Sequence, residues 1–324
     1  MGAVIIATTT TSSSLLELSR LNKSVNVNSL RLDLRHQPRF LIPVLSRTQS
    51  SSSFSSLTPF CNPLCFNLKL SSSRRAAAAA ALPMFSDTPI VADVVATALT
   101  GGIALSLLQF WGEIAKMGLL DQKLSRKLVH ISVGLVFMLC WPMFRPGYHG
   151  AILAALVPGI NIIKMLVLGL GLWKDEATVK SMTRLGDHRE LLKGPLYYAT
   201  TITLACAIYW RTSPIAVAAV CNLCAGDGMA DIIGRRFGHV KLPYNINKSV
   251  AGSLSMAVAG LLASIGFMHY FSLFGYVEES WEMVYKFFII SVSAALVESL
   301  PISTELDDNL TVPLASLVVG TILF

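Results

Sequence analysis

Eight apolar runs, at about 90–111, 128–144, 150–172, 195–211, 214–224, 250–272, 283–300 and 311–324, alternate with polar connections, and this ladder constrains the fold more than any other feature of the chain. Backbone amides and carbonyls inside a bilayer have no water to bond, so each run that enters one must be a helix. A span needs about 20 residues, and the runs at 214–224 and 311–324 are shorter, so the expectation is a helical bundle of about seven to nine transmembrane helices. With 53% hydrophobic and only 14% charged residues, the 324-residue chain has the composition of a polytopic, all-α membrane protein.

The connections sort into two sets. If every run crosses once, those at 112–127, 173–194, 225–249 and 301–310 share one face of the membrane, and 145–149, 211–213 and 272–282 share the other. The first set carries thirteen of the seventeen Lys and Arg residues that follow residue 75. A bias of that kind marks the face from which the protein is not translocated. The 272–282 connection, "SLFGYVEESWE", has room for lysines and has none. The expected architecture is therefore a bundle with polar catalytic loops on one face. No internal repeat is visible, which disfavours an inverted-repeat transporter.

The net charge of +7 suggests an anionic partner until it is located. Of 26 basic and 19 acidic residues, nine and two lie in 1–75, leaving 17 of each in 76–324. The body is neutral, so no nucleic-acid partner is expected. Residues 1–75 are rich in Ser, carry scattered Arg and end in "RRAAAAA", features expected of a chloroplast transit peptide, with the membrane-embedded domain at 76–324. Of six cysteines, Cys61 and Cys65 fall in that leader, while Cys140, Cys206, Cys221 and Cys224 fall in apolar runs, so no disulfide framework is implied. The C-x-x-C at Cys221–Cys224 has no second Cys or His pair at zinc spacing.

The chemistry concentrates in "CNLCAGDGMADIIGRRFGHVKLPYNINKS", residues 221–249. On a helix Asp227 and Asp231 are i and i+4 and share a face, where they would repel unless a cation joins them. A hard ion such as Mg²⁺, held by one or two carboxylates and by phosphate oxygens, suits them. Downstream, Arg235, Arg236, Lys241, Lys248 and Ser249 interleave with Gly234, Gly238 and Gly252, and such a segment can cradle phosphate. A metal site followed by an anion cradle is what a nucleoside triphosphate requires.

Other connections add to the same face. "SMTRLGDHRELLKGP" supplies Arg189, Glu190 and Lys193; its "HRE" has neither the Gly-rich loop nor the "DFG" of a protein kinase, and no Walker A sequence occurs. "LSRKLVHISVG" opens an apolar run with Arg126, Lys127 and His130, and interface anchoring needs no histidine one turn inside a span. "ESLPISTELDDNLTVPL" sets Glu298 at a helix end and Asp307 and Asp308 before the last run, positioned to hold a second metal ion or to take a proton from a hydroxyl.

The string Asp227-x-x-Ala230-x-x-x-Gly234-x-x-x-Gly238, followed by Lys248-Ser249-x-x-Gly252, resembles the CTP-binding loop proposed for dolichol kinases and related polyprenol kinases. With "RKLVH", "ELLKGPLYY", "KLPYN" and "ESLP…DDNLTVPL", it is similar over about residues 110–324 to the plant chloroplast phytol kinase and farnesol kinase group. The resemblance implies a CTP-dependent kinase of a chloroplast membrane that phosphorylates the terminal hydroxyl of an isoprenoid alcohol. Phytol is the first expectation, farnesol or geranylgeraniol the others, and tocopherol synthesis a destination for the product. It places Asp227, Asp231, Arg235, Arg236, Lys248 and Ser249 in the nucleotide loop.

The roles expected of these residues are catalysis by Asp227, His130 and Asp308, metal binding by Asp227, Asp231 and Asp307, and nucleotide binding by the basic loop, its glycines, Ser249 and Lys193. Partners follow as the alcohol, the nucleotide and membrane lipid. Burying a methylene is worth about 0.8 kcal/mol, so drawing a phytyl chain into water costs on the order of 12 kcal/mol. An enzyme meets such an alcohol more easily in the bilayer, with the hydroxyl level with Asp227 and His130. A CTP-dependent cytidylyltransferase and a transporter are the alternatives, and the transporter predicts ionisable side chains strung along mid-span, where Asp93 and Lys164 are the main charges.

Overall fold

The computed structural model of the protein describes residues 89–183, 186–301 and 306–324. The expected transit peptide, 1–75, lies outside the described residues. The elements in chain order are α1 (Pro89–Lys116), α2 (Gln122–Leu139), α3 (Tyr148–Gly169), the short α4 (Glu176–Met182) and α5 (Gly194–Leu204), which a π turn prolongs through Ala205–Tyr209. Then come α6 (Pro214–Cys221), a second π turn (Asn222–Gly226) and α7 (Asp227–Phe237), followed by β1 (Lys241–Leu242), β2 (Asn245–Ser249), α8 (Val250–Leu273), α9 (Trp281–Ser299) and α10 (Asp308–Leu323). The protein is a helical membrane bundle, and its one sheet among the described residues is the antiparallel β1–β2 hairpin.

Among the described residues, five helices are long and apolar enough to cross a membrane: Ile90–Ala115, Lys123–Met143, Tyr148–Gly169, Pro214–Phe237 and Val250–Leu273. α5 with its π turn and α10 are apolar but shorter, and α9 carries Glu282, Lys286 and Glu298 within its 19 residues. The faces follow from residue spacing. On α8, Leu254, Val258 and Leu262 recur every four residues and are exposed, while Gly252, Met256 and Gly260 on the other side are buried. An apolar stripe turned outward is what a helix presents to lipid.

The segment bearing the aspartates differs from the expectation in one respect. The polar connection 225–249 begins as helix: α6, the π turn and α7 form one rod from Pro214 to Phe237. Nothing in Asp227–Phe237 breaks it, and an i,i+4 pair, Arg235 Nη2 to Asp231 Oδ1 at 2.9 Å, spans its last turns. This rod is also the most enclosed, with 78% of its apolar window buried against 17–39% in the other four. Close glycine contacts hold it. A Cβ on Gly228 would run into Ile131 of α2, and one on Gly252 of α8 would sit 3.1 Å from the Ala230 carbonyl.

At the opposite face the core is aromatic. Trp141 stacks on Phe271 with centroids 5.8 Å apart, and Trp210 and Phe144 close the cluster. Arg211, expected from the sequence to sit in a short turn, is buried there. Its Nη1 donates to the carbonyls of Trp141 (2.8 Å) and Phe144 (2.6 Å), and its guanidinium lies over the Tyr276 ring at 4.0 Å. Trp210, just before it, has φ 55, a left-handed conformation that a bulky side chain adopts only when its surroundings hold it.

Candidate active site

All four connections assigned by parity to one face line a single cavity of about 1130 Å³. Residues 123–127 contribute Lys123 and Lys127, 182–194 contribute Glu190 and Lys193, the stretch after Asp227 contributes Asp231 through Ser249, and 306–310 contribute Asp307 and Asp308. Twelve of the thirteen site residues expected from the sequence reach it. Arg236 does not; its guanidinium lies 5.7 Å from the Phe237 ring centroid.

At the centre, α2 and α7 bring three ionisable side chains together. Lys127 Nζ donates to Asp227 Oδ2 at 2.8 Å, and His130 Nε2 stands 3.4 Å from the same oxygen. Asp227 is 2% exposed, and a carboxylate so buried needs such partners. His130 Nε2 also lies 2.9 Å from the Leu223 carbonyl, which can only accept, so Nε2 carries the proton and Nδ1 is the ring's basic atom. Leu223 lies in the π turn, where the Asp227 N–H bonds five residues back to Asn222. Tyr198 of α5 donates to the His130 carbonyl at 2.6 Å and packs its ring 4.2 Å from the imidazole, fixing α2 against α5.

A second cluster lies between β2, α9 and α10. Lys248 Nζ donates to Glu298 Oε1 and, at 2.9 Å, to Asp308 Oδ2. Burial opposes the ammonium, but Asp308 and Glu298 outweigh it and hold the Lys248 pKa above lysine's usual value. Asp308 Oδ1 is buried and accepts no hydrogen bond.

Several expected ligands have structural occupations. Asp227 and Asp231 do share a face, but each is ion-paired with its own cation. Ser249 Oγ caps α8 by accepting from Gly252 N at 3.1 Å, and Asp307 caps α10 by accepting from Asn309 N at 3.0 Å. Gly234 and Gly252 meet backbone to backbone, and a Cβ on Gly238 would strike the Gly234 carbonyl and Ser249. These glycines thus serve helix contact as well as facing the cavity. Lys123, Lys193 and Lys241 have no ion-pair partner among the described residues.

Relatives decide the family. Over 240 residues, 74% of this chain and 75% of the relative, it is 65% identical to "Probable phytol kinase 3, chloroplastic" of Glycine max. It is 62% identical over 241 residues to "Farnesol kinase, chloroplastic" of Arabidopsis thaliana, covering 74% of this chain and 78% of the relative. The chain belongs to the plant phytol and farnesol kinase family. "Phytol kinase 1, chloroplastic" of Arabidopsis thaliana is more distant, at 42% over 233 residues, 72% of this chain and 77% of the relative. No protein-family model matches the chain, and no solved structure does.

No three His, Cys, Asp or Glu side chains among the described residues come together as a preformed metal centre. Mg²⁺ asks for less, usually one or two carboxylates with phosphate and water supplying the rest. Asp308 fits that demand, with one oxygen on Lys248 and the other buried and unpartnered. Two participants lie outside the expected site set: Lys127, which the sequence leaves between an interface anchor and a site residue, and Glu298, which it places at a helix end. The signal for Lys127 is its i,i+3 spacing from His130, which puts both on one face of α2. Glu298 carries no comparable local signal, because its partner is 50 residues away.

Proposed function

We propose that this chain is an isoprenoid-alcohol kinase of the chloroplast membrane that transfers the γ-phosphoryl group of CTP to the terminal hydroxyl of phytol. Farnesol and geranylgeraniol are the further acceptors, and tocopherol synthesis is one destination of the product. The observation that carries this reading is the convergence of four polar connections on one cavity in which carboxylates and cations are paired. Phosphoryl transfer asks a protein mainly for positioning and charge neutralisation, and these residues supply both.

In this reading Lys193, Lys241 and Arg235 meet the phosphates, and Asp227 takes the hydroxyl proton while Lys127 holds its carboxylate in place. Asp308 and, among the other carboxylates of the cavity, Asp227 would hold the Mg²⁺ that accompanies CTP. When bound, the ion would neutralise phosphate charge. Arg236 receives no role, since it points away from the cavity. The two charges that a transporter would string along mid-span are otherwise engaged: Asp93 Oδ1 accepts from Arg145 N at 2.8 Å, and Lys164 donates to Thr178 Oγ1 at 3.0 Å.

Membranes carrying the expressed protein, given phytol and CTP labelled at either the γ- or the α-phosphate, test the reading directly. Label from the γ-position is expected in the lipid product. Label from the α-position in a lipid would overturn the kinase in favour of a cytidylyltransferase. Asp227→Asn is expected to lower turnover per folded molecule by about 10²-fold or more, on the scale of losing one preorganised charged group, and to lower the thermal midpoint in detergent because Lys127 loses its buried partner. Near-normal turnover would remove Asp227 from the reaction.

A further inference from the structure

The cavity changes character with depth. On α2 its lining runs from Arg126 through His130 to Val133, a stripe at spacings of three and four residues. At 1.5 Å per residue, Val133 lies about 10 Å below Arg126 along the helix axis. α1 and α3 end at the charged face, at Lys116 and Gly169, and their lining residues Leu108 and Asn161 each stand eight residues back, about 12 Å down. Below the charged face, the lining residues from these three helices, Leu108, Val129, Val133 and Asn161, carry no charge. The total volume, about 1130 Å³, exceeds the roughly 300–1,000 Å³ of an ordinary single-ligand pocket, leaving room for two substrates.

We propose, resting on the kinase reading above, that this uncharged arm between α1, α2 and α3 holds the isoprenoid chain of the acceptor alcohol, and that Val133 and Leu108 decide how much chain is accepted. A hydroxyl placed beside Asp227 has charged groups around it and above it. The chain behind it is apolar, and the uncharged direction from that point is down α2 past Val129 to Val133. The arm also runs in the direction of the spans, so the chain stays among apolar groups as it leaves lipid. Tyr198, tied to the His130 carbonyl, walls the junction between the charged and uncharged parts.

Full-length protein in membranes provides the test, with CTP fixed and alcohols of five, ten, fifteen and twenty carbons compared by kcat/KM. Val133→Phe is expected to lower kcat/KM for the fifteen- and twenty-carbon alcohols by about 10-fold or more, the range over which an apolar pocket discriminates by a methylene or two. The five-carbon alcohol should stay within about 2-fold, and the KM for CTP should not move. Leu108→Trp should do the same from the facing helix. Val133→Ala guards against misfolding of the larger variants and is expected to raise the twenty-carbon value relative to the ten-carbon one. As a readout independent of turnover, a twenty-carbon alcohol carrying a diazirine at its far end should label α1, α2 or α3 near Leu108, Val133 or Asn161. Equal losses for all four alcohols, a shift in the CTP KM instead, or labelling confined to other helices would each overturn the proposal. Failure of the wild type to phosphorylate any alcohol would overturn the kinase reading itself.

Discussion

Two cations, the buried Arg211 and the half-buried Lys248, sit at opposite faces of the bundle, and their surroundings differ in kind. Arg211 is met by two backbone carbonyls and the rings of Tyr276 and Trp210, with no carboxylate in ion-pair range among the described residues. Lys248 is met by two carboxylates at once, Glu298 and Asp308, and one oxygen of Asp308 remains without a partner. The guanidinium meets only neutral groups that the fold fixes, two carbonyls at Nη1 and two aromatic rings. The ammonium stands in a cluster with surplus negative charge and unused acceptor capacity. Perturbed charge of the second kind, in a cavity, is where chemistry is expected; the first kind holds helices together.

That contrast can be broken most sharply at Lys248. Lys248→Met removes the ammonium between two acids, and turnover is expected to fall by about 10²-fold or more, measured by product formation in detergent. Retained activity would mean that the surplus charge has no function. Its pH behaviour sharpens the point. Because the folded-state pKa is raised, the stability contributed by this pairing is fully present below lysine's ordinary value of about 10.4 and is lost only as pH rises through the higher folded value. A basic limb in the pH–rate profile near neutrality would therefore have to come from another group.

Arg211→Leu should act on stability instead. It leaves the Trp141 and Phe144 carbonyls without their donor, at about 1–3 kcal/mol each, so the detergent-solubilised protein should unfold several degrees earlier while the surviving fraction keeps its specific activity. A fall in activity per folded molecule would erase the distinction between the two cations. Asp307→Ala comes next, with about 1 kcal/mol lost from the α10 cap. Arg236→Ala is expected to be the mildest, changing the KM for CTP by less than about 2-fold, since an exposed cation off the cavity contributes little. A tenfold change there would restore Arg236 to the nucleotide loop.

The gathering of one face was legible in the order of the chain, because crossing parity and charge bias are properties of sequence. Lys127, Lys193 and Asp227 come from three different connections, yet they line the same cavity. What stayed hidden was pairing at long range. Lys127 with Asp227 is a contact across 100 residues and Lys248 with Asp308 across 60, and neither has a local spacing rule behind it. Arg211 misled for the opposite reason: "RTS" reads as a solvated turn, and only the rings of Trp141, Phe271 and Tyr276 around it reveal that it is interior. Ser249 and Asp307, expected as ligands, also cap helices, because the residue types that cap helices are also those that bind ligands.

The π turn at Asn222–Gly226 adds one residue to what would be a regular rod. Because each residue advances a helix by about 100°, that extra residue dials the whole of α7 around its axis relative to α6. Deleting one residue there would not merely shorten the rod. It would swing Asp227, Asp231 and Arg235 out of the cavity together and rotate other side chains into their places, so a structural irregularity five residues long acts as the indexing pin for half of the candidate site.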